Sequence, residues 1–185
     1  MKYILTSSIF VLLLACSTYD DRTVSPETSL SVAKKALQNK DLEKYFDALT
    51  NQAVLNTLKN SIAICSNSKI KEVKQYGYEE SSGCNLILKK YGWQEPVVAP
   101  ENITESWKKE LEKIKNPRAM VVELETNHRE KGAGASFVWW YLESVNIIST
   151  EIRGNEAIGE VDWSGESKKV LFVRDSTGWR FDPNY

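Results

Sequence analysis

Four short apolar runs close the chain, and the connections between them are too brief to contain a helix. The runs are rich in β-branched and aromatic residues and occupy 145–152, 157–163, 169–173 and 179–181. Turn-forming residues separate them: Gly154-Asn155, Ser164-Gly165 and Ser176-Thr177-Gly178. Two neighbouring parallel strands need a crossover of about a dozen residues or more, so these strands are predicted to pair as an antiparallel meander.

Amphipathic helices are predicted before the strands. Ser25-Pro26-Glu27 supplies an N-cap residue, a proline where no amide donor is missed, and an acid near the positive helix start. Apolar residues then recur at helical spacing, and after a break Asp41 caps a second helix. Further runs of this kind lie at 51–65, 84–91 and 102–116.

Helices first and strands last predict an α+β fold, with the helices packed on one face of a curved antiparallel C-terminal sheet. The segment 118–144 has two interpretations. As a helix, it places Val121, Leu124 and His128 on one face. As a hairpin, its apolar residues alternate before a charged turn and a second strand over 137–142, where aromatic residues favour a strand. We favour the hairpin.

The N-terminus has the layout of a signal peptide, with Lys2 ahead of an apolar stretch at 4–14. This stretch is too short for a membrane-spanning helix, which needs about 20 apolar residues. It ends in Leu13-Leu14-Ala15-Cys16, which resembles the lipobox of bacterial lipoproteins. The resemblance implies cleavage before Cys16 and diacylation of that cysteine. The alternative is an ordinary secretory signal with a cysteine near the cut by chance.

This resemblance predicts a location and a division of the chain. Two or three acyl chains, palmitate for example, hold a protein on a membrane where a single chain does not. Ser17 after the lipidated cysteine resembles the pattern for outer-membrane sorting, so in a cell with two membranes we expect an outer-membrane anchor facing the periplasm. The expected parts are a signal peptide at 1–15, a lipidated tether at 16–24 and one α+β domain at 25–185.

Cysteine use agrees with export to the cell envelope. With Cys16 assigned to lipid, Cys65 and Cys84 remain as a pair in a compartment where disulfides persist, and we predict that they are bonded. Neither belongs to a CxxC motif and the chain has one histidine, so no redox dyad, metal site or cofactor is expected. Nucleic acid is not an expected partner either, because 24 basic residues face 25 acidic ones.

Two segments resemble the nuclear transport factor 2-like superfamily, especially its bacterial lipoprotein members. Residues 36–46, ALQNKDLEKYF, are similar to the opening helix pair of the family with its short break. Residues 173–182, VRDSTGWRFD, are similar to its last hairpin with a Gly-Trp strand entry. Together they cover less than half of the chain. The resemblance implies a cone-shaped cavity between sheet and helices, which different members use for catalysis, ligand holding or dimerisation.

Enzymes of that superfamily often place a histidine with an aspartate in the cone, and this chain offers His128 for the first role. Asp162, beside Trp163, is the candidate partner. The neighbourhood of His128 at 127–131 is highly charged, whereas a general base usually needs a buried, tuned site. We therefore interpret His128 as a solvated residue of a turn or helix end, and we assign no catalytic residue.

An aromatic run gives a candidate binding surface at Trp139, Trp140 and Tyr141. Consecutive strand residues point to opposite faces of a sheet, so the two tryptophans cannot both enter one interior. One of them is a candidate to line a cavity or a partner surface. The alternative is packing on both sides of the sheet, under helices.

Three functions fit these observations. The leading hypothesis is a non-catalytic, membrane-tethered envelope protein that binds a small apolar ligand or another envelope protein. The second is a small cavity enzyme of the lyase or isomerase type, using His128 with a carboxylate. The third is a structural homodimer, which an exposed aromatic sheet face would support.

Overall fold

A computed structural model of the protein describes residues 24–67, 83–94, 103–130, 142 and 144–183. Within these residues helices come first and strands last, which confirms the α+β class. The helices are α1 (Pro26–Gln38), α2 (Leu42–Asp47), α3 (Asn51–Asn67), α4 (Cys84–Lys90), α5 (Ile103–Glu112) and α6 (Pro117–Glu130). The strands are β1 (Val145–Arg153), β2 (Glu156–Trp163), β3 (Glu166–Asp175) and β4 (Gly178–Asp182).

The four strands form the predicted antiparallel meander, in the order β1-β2-β3-β4. Each strand is one to five residues longer than its apolar core, because pairing continues into the polar residues that flank the turns. The β2–β3 connection is a two-residue turn in which Ser164 and Gly165 both have positive φ, at 56° and 88°. Two positive φ values match the right-handed twist of the flanking strands.

The helix ends follow the predicted signals. Ser25 is the N-cap of α1 with Pro26 in its first turn, and the Thr28 hydroxyl accepts a hydrogen bond from the Ser25 N–H at 3.3 Å. Asp41 caps α2 by accepting from the Lys44 N–H at 3.0 Å. Just beyond α4, Gly92 takes a φ of 77°, the left-handed conformation that commonly ends a helix.

The predicted hairpin after residue 118 is wrong, because Pro117–Glu130 forms the helix α6. The side chains that alternate in the hairpin interpretation do not share a buried face: Met120 and Leu124 are buried, whereas Val122 between them is only half-buried. Val121 and His128 are buried as well, so the buried set recurs every three or four residues. The helical period therefore determines this segment.

Several predictions concern residues outside the described ranges. These are the signal peptide, the lipidation site Cys16, nearly all of the tether, and the candidate binding surface of Trp139, Trp140 and Tyr141. The strand predicted over 137–142 lies there too, apart from Leu142, which is buried.

Helix α1 packs on the sheet and contacts β4 and β1. The interface is apolar: Leu30 and Ala33 of α1 and Phe172 and Phe181 of the sheet are all buried in one continuous core.

The β4 edge of the sheet is covered by the α2–α3 connection. The Thr50 N–H donates to the carbonyl of Phe181, and the Phe181 N–H donates to the carbonyl of Ala48, both at 3.0 Å. The Thr50 hydroxyl also donates to Asp182 at 2.9 Å. These bonds connect the helices rigidly to the sheet and satisfy an edge that would otherwise be open.

Helix α6 is the centre of the helical layer, where it contacts α2, α3 and α4. Its buried face belongs to the same core as the sheet side chains. The C-terminal part of α3 and the first residue of α4 both meet α6 near its end, which brings Cys65, Cys84 and His128 together.

Candidate functional site

A disulfide joins Cys65, near the end of α3, to Cys84, the first residue of α4. The pairing predicted from the cysteine count is confirmed. Both residues are buried, with 5% and 4% of their surface exposed. The bond spans 19 positions of sequence and connects two helices that each pack on α6.

The expectation that His128 is solvated is wrong, since only 1% of its surface is exposed. Its charged sequence neighbours gave the misleading signal. Arg129 and Glu130 lie on the more exposed sides of α6, whereas His128 continues the buried face of Val121 and Leu124. A helix turns about 100° per residue, so adjacent residues report little about each other's burial.

The imidazole of His128 faces the disulfide. Its Nε2 atom lies 3.3 Å from Sγ of Cys65 and 3.5 Å from Sγ of Cys84. The possible ligand atoms of these three residues all lie within 4.8 Å of one another. We call Cys65, Cys84 and His128 the Cys–His cluster. Spacing had predicted no metal site, yet the fold brings together three side chains of the types that bind soft metal ions.

A buried carboxylate stands behind the imidazole. Oε1 of Glu125 lies 3.9 Å from Nδ1 of His128, and both side chains are buried. Ser61 of α3 holds this carboxylate, since its hydroxyl donates to Oε1 of Glu125 at 2.5 Å. Nδ1 of His128 has no hydrogen-bond partner within the described part of the chain.

Burial controls the electrostatics of this region. Desolvation lowers the pKa of His128 below its ordinary value, and the carboxylate of Glu125 opposes that shift without cancelling it. Burial also raises the pKa of Tyr45, and the same carboxylate adds to the rise. A neutral imidazole and a neutral phenol are therefore favoured beside Glu125.

Asp162, the candidate partner of His128, instead stabilises a turn. Its Oδ1 atom accepts a hydrogen bond from the Gly165 N–H at 2.7 Å, within the β2–β3 turn. The carboxylate that the structure places beside His128 belongs to Glu125. Glu125 and Ser61 were not predicted as site residues, although each has a signal: on a helix, Glu125 is one turn before His128, and Ser61 is one turn before Cys65.

An open groove runs between α2 and α6, with a volume of about 570 Å³. Ala119 and Val122 form an apolar floor, and charged or polar side chains form most of the rim. We call it the α2–α6 groove, lined by Glu43, Lys44, Asp47, Asn116, Arg118, Ala119, Val122 and Glu123.

A second, smaller groove of about 350 Å³ lies between α1 and the start of β1. Lys34 crosses it, and its Nζ donates to the carbonyl of Val145 at 2.8 Å. This contact ties α1 to the first strand, so the groove has a structural link across it.

None of the helices described here is both long and apolar enough to cross a bilayer. Comparison of the chain with models of protein families, with curated proteins and with solved structures found no match.

Proposed function

We propose that the protein is a lipid-anchored envelope protein that binds an amphipathic segment of another envelope protein in the α2–α6 groove. The observation that carries this proposal is the groove itself, an apolar floor with a charged rim between two helices that are fixed to each other. The anchor is inferred from Leu13-Leu14-Ala15-Cys16.

Arg118 makes the groove a preformed surface. Its guanidinium reaches from α6 to the end of α2, where it donates to the carbonyls of Phe46 and Leu49 and to Oδ1 of Asn51. Carbonyls at a helix C-terminus have no partner within their own helix, so a fixed cation there is stabilising. A rigid surface loses less conformational entropy on binding.

The shape of the groove favours a protein segment over a small apolar ligand. Pockets for small molecules are concave and bury most of the ligand surface, whereas this groove is open along its length. Its floor suits the apolar stripe of an amphipathic helix. The rim carries charges of both signs, from Glu43, Asp47 and Glu123 and from Lys44 and Arg118, so a segment with acidic and basic residues beside its apolar stripe fits best.

The predicted tether keeps this surface near the membrane. An extended chain spans at most about 3.5 Å per residue, so the stretch from Cys16 to Ser25 would place the domain within about 30 Å of the lipid. Other proteins of the same envelope surface lie within that distance. Tethering raises the effective concentration of both partners.

Site-specific photocrosslinking in the native cells tests this binding function. A photoreactive residue at Val122 should give one dominant protein adduct, whereas the same residue at the exposed Lys169 on β3 should not. Ala119→Arg, which fills the floor and adds positive charge, should abolish the adduct. Ser167→Arg also introduces an arginine, at an exposed position of β3 away from the groove, and should leave the adduct intact.

Other results would reject the proposal. An adduct of twice the mass of the chain would identify the groove as a homodimer contact. Equal adducts at Val122 and Lys169, or an adduct that survives Ala119→Arg, would show that the groove is not the binding surface. A co-purifying small molecule displaced by Ala119→Arg would indicate ligand holding.

The enzyme alternative depends on access to His128. A lyase or isomerase needs one imidazole nitrogen within hydrogen-bond reach of its substrate. Here Nε2 faces two sulfur atoms and Nδ1 faces Glu125, in a side chain that the core encloses. The α2–α6 groove, by contrast, is open to a partner in the structure as it stands, which is why the proposal rests on the groove.

A further inference from the structure

We propose that the Cys–His cluster becomes a zinc site when the disulfide is reduced, with Cys65, Cys84 and His128 as the protein ligands. The site would take a thiophilic d10 cation. It lies inside the core and is separate from the α2–α6 groove, so it does not depend on the binding function proposed above.

The distances around the imidazole already suit a metal. With Zn–S bonds of about 2.3 Å and a Zn–N bond of about 2.0 Å, tetrahedral geometry puts each sulfur roughly 3.5 Å from the nitrogen. Nε2 of His128 lies 3.3 and 3.5 Å from the two sulfurs. Only the sulfurs must move, to roughly 3.8 Å apart, and breaking their covalent bond permits that movement.

The residues behind the imidazole complete the arrangement. When Nε2 ligates a metal, the imidazole proton sits on Nδ1, which points towards Oε1 of Glu125 at 3.9 Å. A metal-bound histidine almost always donates its other N–H to such a group. The Ser61 hydroxyl donates to the same carboxylate oxygen. The imidazole therefore already turns Nδ1 towards the carboxylate, which must approach by about 1 Å to accept the N–H when a metal binds.

Charge balance favours Zn²⁺ among the thiophilic cations. Among the ligands, two thiolates and a neutral imidazole balance a divalent ion, whereas Cu⁺ would leave one more negative charge close to the buried carboxylate of Glu125. An uncompensated buried charge is costly. Thiolate sulfur and imidazole nitrogen are both usual zinc ligands, and a water molecule can fill the fourth position.

The site requires a defined redox step. A dithiol or two monothiols reduce the Cys65–Cys84 bond, which gains two electrons and two protons while the reductant forms its own disulfide. Zn²⁺ then replaces the two thiol protons, which are released. A low-molecular-weight disulfide reverses the sequence: it takes the two electrons and becomes two thiolates, the Cys65–Cys84 bond forms again, and Zn²⁺ is expelled. The disulfide therefore excludes the metal, and the metal protects the thiols from oxidation.

The test uses the full-length chain in detergent with Cys16→Ser, so that Cys65 and Cys84 are the only thiols. The reduced protein is titrated with Zn²⁺, and with Co²⁺ as a spectroscopic probe. We expect one ion per chain and a thiolate-to-cobalt charge-transfer band. The oxidised protein, which has the same residues without thiols, should show neither.

The three ligands are then tested singly. Cys65→Ser and Cys84→Ser should remove the charge-transfer band of a two-thiolate site, and His128→Gln should weaken Zn²⁺ binding at least tenfold. Asp162→Asn, at the carboxylate that structures the β2–β3 turn, should leave Zn²⁺ affinity unchanged. Wild-type affinity in reduced His128→Gln would overturn the proposal, as would failure of the reduced protein to bind Zn²⁺.

A second measurement applies if a variant does not fold. Zn²⁺ should slow the alkylation of both Cys65 and Cys84 in the reduced parent protein at least tenfold and should raise its Tm, whereas Mg²⁺ should do neither. Unchanged alkylation rates with saturating Zn²⁺ would overturn the proposal whatever the variants do. Cu⁺ binding with no Zn²⁺ binding would overturn the charge argument and the assignment of zinc.

Discussion

At the scale of single residues, the buried polar side chains are connected to one another. Ser61, Glu125 and His128 come from α3 and α6 and meet beside the disulfide. Ser61 donates to Glu125, and a buried polar group that loses such a partner is costly. Breaking one contact should therefore cost more here than at the surface.

Ser61→Ala tests that difference. It removes the hydrogen bond to Glu125 and should reduce the free energy of unfolding by about 1–3 kcal/mol, because a buried carboxylate loses one of its donors. Ser167→Ala is the matched control, since Ser167 also donates to a glutamate, Glu160, but at the exposed surface. We expect a change within about 0.5 kcal/mol there. Equal effects in urea denaturation would contradict this description of the buried region.

His128 predicts a pH dependence. Burial holds its pKa in the folded protein below the ordinary value of 6.5, so below about pH 6.5 the unfolded chain binds a proton that the folded chain binds less readily. The folded protein should therefore lose stability as the pH falls from about 6.5 towards the folded-state pKa of His128.

Urea unfolding at about pH 7.5 and pH 5 measures this loss, with His128→Gln as the comparison. The variant keeps all the carboxylates, so their contribution is present in both proteins. We expect the wild-type protein to lose more stability between the two pH values than the variant does. Parallel losses would show that His128 is not the titrating group.

At this scale the disulfide could be predicted from the sequence, whereas the burial of the histidine could not. The pairing of Cys65 with Cys84, now observed, was predicted from an even count of cysteines in a chain expected to be exported. The burial of His128 depends on which face of a helix it occupies, and the charges around it in sequence obscured that face.

At the scale of elements, the sheet shows how closely its strands and side chains fit. Gly159 on β2 lies under the ring of Phe172 on β3, and a Cβ at that position would be 2.7 Å from Cε2 of the ring. Phe172 is fully buried, so the ring cannot move away into solvent.

Gly159→Ala should therefore destabilise the protein by about 1–3 kcal/mol through overpacking, despite the better strand propensity of alanine. Thermal unfolding followed by circular dichroism measures the effect. Leucine at position 172 relieves the contact with the new Cβ. The double variant Gly159→Ala/Phe172→Leu should therefore be less destabilised than the sum of its two single variants. Strict additivity of the two changes would contradict a direct clash.

The strands were easier to predict than α6. Short turns between β-branched runs leave one way to connect them, so the meander followed from local sequence. In α6 the apolar residues fit both the alternation of a strand and the period of a helix over a few positions. The helix contacts α2, α3 and α4, and the sequence alone does not reveal those contacts.

At the scale of the whole molecule, one core joins the sheet to the helical layer, and the disulfide links α3 to α4 within that layer. The class of fold could be predicted because helices precede strands. The grooves could not, since their walls come from segments far apart in sequence, such as α2 and α6.

Removal of the disulfide should destabilise the entire domain. Cys65→Ala with Cys84→Ala should lower the free energy of unfolding by about 3 kcal/mol, mainly because the unfolded chain gains freedom. Denaturant unfolding with and without reductant checks this: reductant should destabilise the wild-type protein and leave the double variant unchanged. Insensitivity of the wild type to reductant, with the bond shown to be broken, would contradict the prediction.

The proposed location is the premise on which a tethered binding function depends. Mass spectrometry of the N-terminal peptide of the protein purified from its own cells tests that premise most directly. The peptide is expected to begin at Cys16 and to carry acyl chains, and Cys16→Ser should release the protein from membranes. An unmodified Cys16, or a chain that still carries residues 1–15, would contradict the proposed anchor.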